Sequence, residues 1–358
     1  MHSCDVLIVG GGPAGSACAW QLRRAGIDAA ILDRSVFPRD KICGGWITPE
    51  VLALLEIDPA AYAISRILQP ITGFRTGAIG ARGIETPYHA PVSYGIRRRE
   101  FDHFLVERSG APVLAGTALE TLERRGDHWI ANGAIHARIV VGAGGHFCPV
   151  VRLVGAKSEA EHAVVAQEAE FEMTAAQIAA CAVRADTPEL YFCPDLCGYG
   201  WCFRKTNVLN LGLGRADPHR LSTHVRDFFR VLRARIGFDP PVPRGHAYLL
   251  YGSSPRRISG DGWLLIGDAA GLAYPFSGEG ILPAVESGLL AAAAIAAGCI
   301  GQYPIALRDR FGAPAGWLER AGAKIPPGLR RRLAPRLLQS RWFARDVLLD
   351  RWFLHANN

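Results

Sequence analysis

The stretch Lys41-Ile42-Cys43-Gly44-Gly45-Trp46 sets a thiol between a cation and two glycines. A neighbouring cation favours the thiolate and makes such a thiol a usable proton donor and acceptor. The same residues also suit a tight turn in which Cys43 is only a small, polarizable filler, and both readings stay open on these residues alone. A second pattern lies upstream. Gly10-Gly11-Gly12-Pro13-Ala14-Gly15 stands between an apolar strand over Asp5 to Val9 and a helix from about Pro13 to Ala25. A further strand, Ala29 to Leu32, ends at Asp33 and Arg34, with the acid 18 residues beyond Gly15. In that context Gly10 permits the turn and Gly12 lets backbone approach a pyrophosphate. Gly15 lets helix and strand pack closely, and Asp33 accepts from a ribose hydroxyl. The pattern therefore predicts a dinucleotide site.

Distant segments decide which dinucleotide. Near the end of the α/β pattern, "GDGWLLIGDAAGLAYPFSGEGILPAVESG" predicts a strand from Trp263 to Ile266, then Gly267-Asp268, then a helix interrupted at Pro275 and reopened at Gly278-Glu279-Gly280 before Ile281. An acid at a strand end can bind a ribitol hydroxyl while a helix N-terminus faces phosphate. Of the dinucleotide cofactors only FAD has ribitol. In the middle, "ARIVVGAGGHFCPVVR" ends a strand in Gly142-Ala143-Gly144-Gly145, which predicts a second backbone approach to the same cofactor at Gly144. The chain holds no second strand-Gly-x-Gly-x-x-Gly-helix unit, so the electron donor (NADPH, NADH or ferredoxin) stays open. Cys193, Cys197 and Cys202 lack a partner pair or a histidine at zinc spacing, and no metal site is expected.

Five separated motifs carry a resemblance across residues 4 to 300. They are the Gly10 to Gly15 turn with Asp33, "PRDKICGG", "IRRREFD", "GYGWCFRK" and "GDAAGLAYPFSGEGI". Together they resemble the FAD-dependent, p-hydroxybenzoate hydroxylase-like flavoprotein superfamily and, within it, the geranylgeranyl reductase family. The resemblance implies an α/β fold, with a Rossmann-type FAD-binding domain, an antiparallel-sheet substrate domain and a helical C-terminal tail. It also implies that Lys41, Cys43, Gly44 and Gly45 lie beside the flavin and the substrate cavity, where in a reductase Cys43, the catalytic candidate, or a cavity water would donate the proton. Arg98, in Arg-x-x-Phe-Asp, matches an arginine placed near the cofactor's phosphates. Tyr199, Trp201 and Phe203, which strand alternation sends to one sheet face, match residues that line a substrate tunnel together with Pro275. Two departures stand out. Gly144-Gly145 lacks the superfamily's aspartate, and Arg204 replaces a proline, which predicts an altered cavity mouth.

At 358 residues and 49% hydrophobic residues the chain can bury a large core. The motif order implies a discontinuous FAD-binding domain (residues 1–70, 96–155 and 255–305), with 71–95 and 156–254 forming the substrate domain and 306–358 a basic helical segment. From Arg320 onward, nine Lys/Arg face two Asp, a surplus equal to the whole net charge of +7. Leu338, Trp342, Leu349 and Trp352 recur there at near-helical spacing. A helix packed on the substrate domain and reversible contact with an anionic membrane both fit. Basic, aromatic-interleaved nucleic-acid motifs are absent elsewhere, so no nucleic-acid partner is expected.

Nine cysteines with no secretory leader imply a reduced, cytoplasmic protein, peripheral on the inner membrane face if the tail touches lipid. The apolar run from Leu289 to Ile300 is shorter than the ~20 residues needed to span a bilayer. A monomer is expected. The reading that follows is an FAD-dependent oxidoreductase that reduces C=C bonds of a polyprenyl or related isoprenoid group. The alternatives are a monooxygenase of an aromatic or lipophilic substrate and, further off, a flavoprotein-fold lipid or pigment carrier without turnover. A halogenase's Trp-x-Trp-x-x-Pro pattern is absent.

Overall fold

A computed structural model describes residues 2–252, 256–312 and 337–355. The residues of the first strand, Val6-Leu7-Ile8-Val9, are all buried, as a strand covered on both faces must be. His2–Val9 pairs in parallel with Ala29–Asp33 on one side and Ile135–Gly142 on the other. Val113–Ala115 and Trp263–Leu265 extend the parallel core outward. The meander Leu122–Arg125 and His128–Ala131, together with Ser259–Gly260, completes an eight-stranded sheet. The crossover helix Pro13–Arg24 follows the first strand directly, and Ile281–Ala296 packs against it. That contact is close: a Cβ on Gly288 would fall 2.4 Å from the Ala14 carbonyl oxygen.

A seven-stranded sheet forms the second layer, in the order Arg244–Leu249, Ala163–Glu172, Val208–Arg215, Gly198–Lys205, Glu189–Phe192, Gly73–Ala78, Ile84–Pro87. All its pairings are antiparallel except Glu189–Phe192 with Gly73–Ala78. One face packs on Leu221–Ile236 through Val225, Phe228, Leu232 and Ile236. The other carries Phe74, Phe192, Trp201 and Phe203. A three-stranded sheet (Trp46–Ile47, Ser93–Ile96, Leu68–Ile71) adjoins it.

Two expectations need correction. The helix expected after Gly267 is a single 3-10 turn, Gly267–Ala269. Gly271 and Gly278 both adopt left-handed φ, at 72° and 67°, and Pro275 lies between them, so a regular helix starts only at Ile281. Arg204 does not stand at a cavity mouth. Alternation turns it away from the face of Phe203, and its guanidinium donates to the Thr206 carbonyl at 3.0 Å and the Val183 carbonyl at 3.4 Å.

The C-terminal helix Phe343–Phe353 buries Leu348, Leu349 and Phe353, with Leu338, in the aromatic cluster of the seven-stranded sheet. The apolar stripe of the tail is therefore spent largely on the protein's own sheet. Trp342 remains 65% exposed. The basic residues Arg320, Lys324, Arg330, Arg331, Arg332 and Arg336 lie outside the described residues. Among the described residues no helix is long and apolar enough to cross a membrane.

Candidate active site

The fingerprint turn is fixed by contact. Gly10 has φ 115°, and a Cβ there would meet the Ala143 carbonyl oxygen at 2.5 Å, so the 142–145 segment passes directly over the turn. A Cβ on Gly15 would sit 1.9 Å from the Gly10 carbonyl oxygen. Gly12 differs: its nearest neighbour would be Arg39 Nη2 at 3.7 Å, which leaves open space at the N-terminus of Pro13–Arg24. Asp33, at the end of the second strand, accepts from the Gly11 and Ser35 N–H groups, each at 2.8 Å.

These elements line a cavity of about 370 Å3. Gly10, Gly12, Pro13, Ala14, Asp33 and Arg34 form one end. Lys41, Cys43, Arg98, Gly144, Asp268, Gly278, Gly280 and Ile281 line the rest. Of the residues expected at the cofactor, Gly15, Gly44 and Gly267 stand just outside: Gly15 under the turn, Gly44 behind Cys43, and Gly267 anchored through its N–H to Ser287 Oγ at 2.9 Å. Where the superfamily's aspartate is missing, a Cβ on Gly144 would lie 3.2 Å from Cys148 Cα, a close contact with the turn that follows.

Charge in the cavity is arranged around Asp268. Its carboxylate accepts no hydrogen bond among the described residues, and Oδ1 stands 3.0 Å from the position a Cβ on Gly280 would take. Burial pushes its carboxyl above the usual range, opposed by Lys41 and Arg98. Burial likewise lowers the Lys41 ammonium, with Arg98 adding to the effect. Arg98 is buried and committed to Asp102, donating from Nε at 2.6 Å and from Nη2 at 2.8 Å. Arg39 reaches the same carboxylate at 3.2 Å. The arginine nearest the open space at Gly12 is thus Arg39, which sequence reasoning missed. His246 and Tyr248 were missed as well. Both reach the cavity from Arg244–Leu249, and burial, then Lys41 and Arg98, push His246 down to about 3, so it is neutral at working pH.

The residues present fit FAD. The open space at Gly12 takes a pyrophosphate at a helix N-terminus. Asp33 has lone pairs to spare for a ribose hydroxyl. Asp268 is an acceptor awaiting a donor, as a ribitol hydroxyl would be, and Gly280 opens the 16-residue helix Ile281–Ala296 towards the cavity.

Cys43, half-buried, forms the cavity's edge. Beyond it the Cβ position of Gly44 lies 3.5 Å from both Phe203 Cε2 and Trp201 Nε1, so the thiol loop separates the cavity from the aromatic face. Tyr199 joins that face, donates from its hydroxyl to the Ser277 carbonyl, and faces Phe353 at a ring separation of 5.5 Å. Gly45, Tyr199, Trp201, Phe203 and Pro275 are not in the wall of the 370 Å3 cavity. The structure groups the three aromatic residues on one face and covers them with the C-terminal helix. At the end of that helix, His355 Nε2 stands 3.3 Å from the Glu279 carboxylate.

Residues 3–313 match the family model described as an FAD binding domain. The chain is 30% identical over 341 residues to the menaquinone reductase of Mycobacterium tuberculosis, covering 87% of this chain and 81% of that one. It is 28% identical over 314 residues to the geranylgeranyl diphosphate reductase of Rhodobacter capsulatus, covering 81% and 74%. A geranylgeranyl bacteriochlorophyll reductase-like protein from Thermoplasma acidophilum has the same fold, with a TM-score of 0.77, 21% identity, and coverage of 95% of this chain and 92% of that one.

Proposed function

The chain belongs to the FAD binding domain family, and from that premise we propose that it is an oxidoreductase that reduces C=C bonds of a polyprenyl or related isoprenoid group. One observation carries the reading: the Cys43-Gly44 bend lies between the cofactor cavity and the rings of Trp201 and Phe203. Cys43 thus lines the redox cavity on a loop backed by an apolar, aromatic cluster that the C-terminal helix covers, apolar surroundings that suit an isoprenoid substrate rather than a polar one. The names of the two relatives add support, since menaquinone and geranylgeranyl diphosphate both carry such chains.

Bound FAD, once reduced, supplies the hydride that a C=C bond accepts. The protein's part is placement and protonation. The Cys43 Sγ proton goes to the carbon next to the one that receives hydride, and solvent restores the thiol. Arg98 holds positive charge beside Cys43, and Lys41 lines the same cavity. Product made under 18O2 is expected to gain two hydrogens per reduced bond and no heavy oxygen. Incorporation of one heavy oxygen atom would instead establish the monooxygenase alternative.

The same reading places the enzyme at a lipid surface. Arg341 and Trp342, just before the tail helix, and Arg345 and Arg351 on it are exposed, beside the acids Asp346 and Asp350, and each basic residue near an anionic bilayer contributes roughly 1 kcal/mol. Phe353, buried in the aromatic cluster, takes no part. Co-sedimentation with anionic vesicles is expected at low salt and is expected to be lost at high salt; no binding at low salt would remove the membrane from the proposal.

A further inference from the structure

The thiol loop belongs to the cofactor-binding half of the chain, yet the groups that hold it come from the seven-stranded sheet. The Cys43 N–H donates to the carboxylate of Glu168, on Ala163–Glu172. The Cys43 carbonyl accepts from Asn210 Nδ2 at 3.0 Å, from Val208–Arg215. Both backbone polar groups of the residue are thus held by buried side chains from two adjacent strands. Asn210 is fixed in turn, since its Oδ1 accepts from Trp201 Nε1 at 2.7 Å and its Nδ2 also donates to Glu170 Oε2 at 3.1 Å. Lys205, fully buried, donates to Glu170 at 2.8 Å. Its Nζ lies 2.3 Å from where a Cβ on Gly45 would be, so the lysine fills the space beneath the second glycine of the loop.

A loop with two consecutive glycines after the thiol has little conformational preference of its own. We propose that Glu168 and Asn210 are positioning residues for Cys43, a two-point clamp through which the substrate-side sheet sets where the thiol points at the cofactor cavity. The proposal rests on the reading of Cys43 as proton donor. The cluster's composition agrees with it. Glu168 and Glu170 face one cation, Lys205, and burial pushes the Glu168 carboxyl up to about 7, opposed by the Cys43 N–H and then Lys205. A buried carboxylate in that position is costly unless its bond to the loop is retained.

The test compares Glu168→Gln, whose amide oxygen still accepts the Cys43 N–H, with Glu168→Ala, which cannot. Geranylgeranyl diphosphate is the substrate probe, and iodoacetamide labelling of Cys43, read by peptide mass, is the substrate-free probe. In Glu168→Ala we expect the flavin spectrum and KM to hold, kcat to fall by about 10- to 100-fold as for a misplaced reacting group, and the Cys43 labelling rate to change several-fold. Glu168→Gln restores both. Wild-type kcat and labelling in Glu168→Ala overturn the clamp. Should that variant fail to fold, hydrogen exchange of the wild-type holoenzyme decides: a protected Cys43 amide supports the clamp, and exchange at the rate of a free loop overturns it. Altered labelling in Glu168→Ala together with full turnover in Cys43→Ser would leave the clamp standing and dismiss only the proton-donor reading.

Discussion

Gly12→Val is expected to give a folded, colourless protein. Gly12 has extended backbone, with φ −78° and ψ −174°, which a β-branched residue adopts readily. Its Cβ would touch nothing in the protein closer than Arg39 Nη2 at 3.7 Å. The added methyls would occupy the space the cofactor's pyrophosphate needs at the helix N-terminus, so FAD affinity should fall at least about 10³-fold, or ~4 kcal/mol. Gly15→Val should behave in the opposite way. Its Cβ would lie 1.9 Å from the Gly10 carbonyl oxygen and 3.1 Å from Ile8 Cγ2, so strand and helix must separate, at a cost above ~4 kcal/mol. Flavin absorbance after gel filtration and thermal melting of the apoproteins separate the two outcomes. FAD retained by Gly12→Val would show that the open space at the turn is not the pyrophosphate site.

Cys43→Ser should keep FAD and lose turnover. The backbone bonds to Glu168 and Asn210 survive the exchange, and a hydroxyl occupies nearly the same space. A serine hydroxyl is a far weaker acid than a thiol, so the proton delivered at Sγ is lost and the rate on geranylgeranyl diphosphate should drop by ~10²–10⁴-fold, the worth of a positioned general acid. Steady-state kinetics with the flavin spectrum as control measure it. Full activity in the serine variant would make Cys43 a matter of shape.

Much of the cofactor site was legible because its constraints are local or steric. The all-buried strand from Val6 to Val9 reads as a continuous apolar run, and Gly10 and Gly15 are each required by an atom that leaves no room for a Cβ. Asp268 was legible through its place after a strand. What the sequence hid depends on non-local pairing. Glu168, Asn210, His246 and Tyr248 meet the cavity or its loop only because three strands far apart in the chain lie side by side, with Ala166 opposite both Gly214 and His246. Alternation in one strand revealed the shared face of Tyr199, Trp201 and Phe203 but not the partner that covers it. The spacing of Leu338, Trp342, Leu349 and Trp352 showed an amphipathic element and left open whether protein or lipid meets its apolar side. The structure sets Leu338 and Leu349 in the aromatic cluster and leaves Trp342 exposed.

The most direct test of the central claim is an anaerobic single turnover. The holoenzyme is reduced with dithionite, freed of excess reductant and mixed with geranylgeranyl diphosphate without oxygen, while flavin absorbance is followed. The account predicts reoxidation of the flavin by the isoprenoid alone, with a product heavier by two hydrogens. Flavin that stays reduced until oxygen is admitted, and then yields an oxygenated product or none, would contradict it.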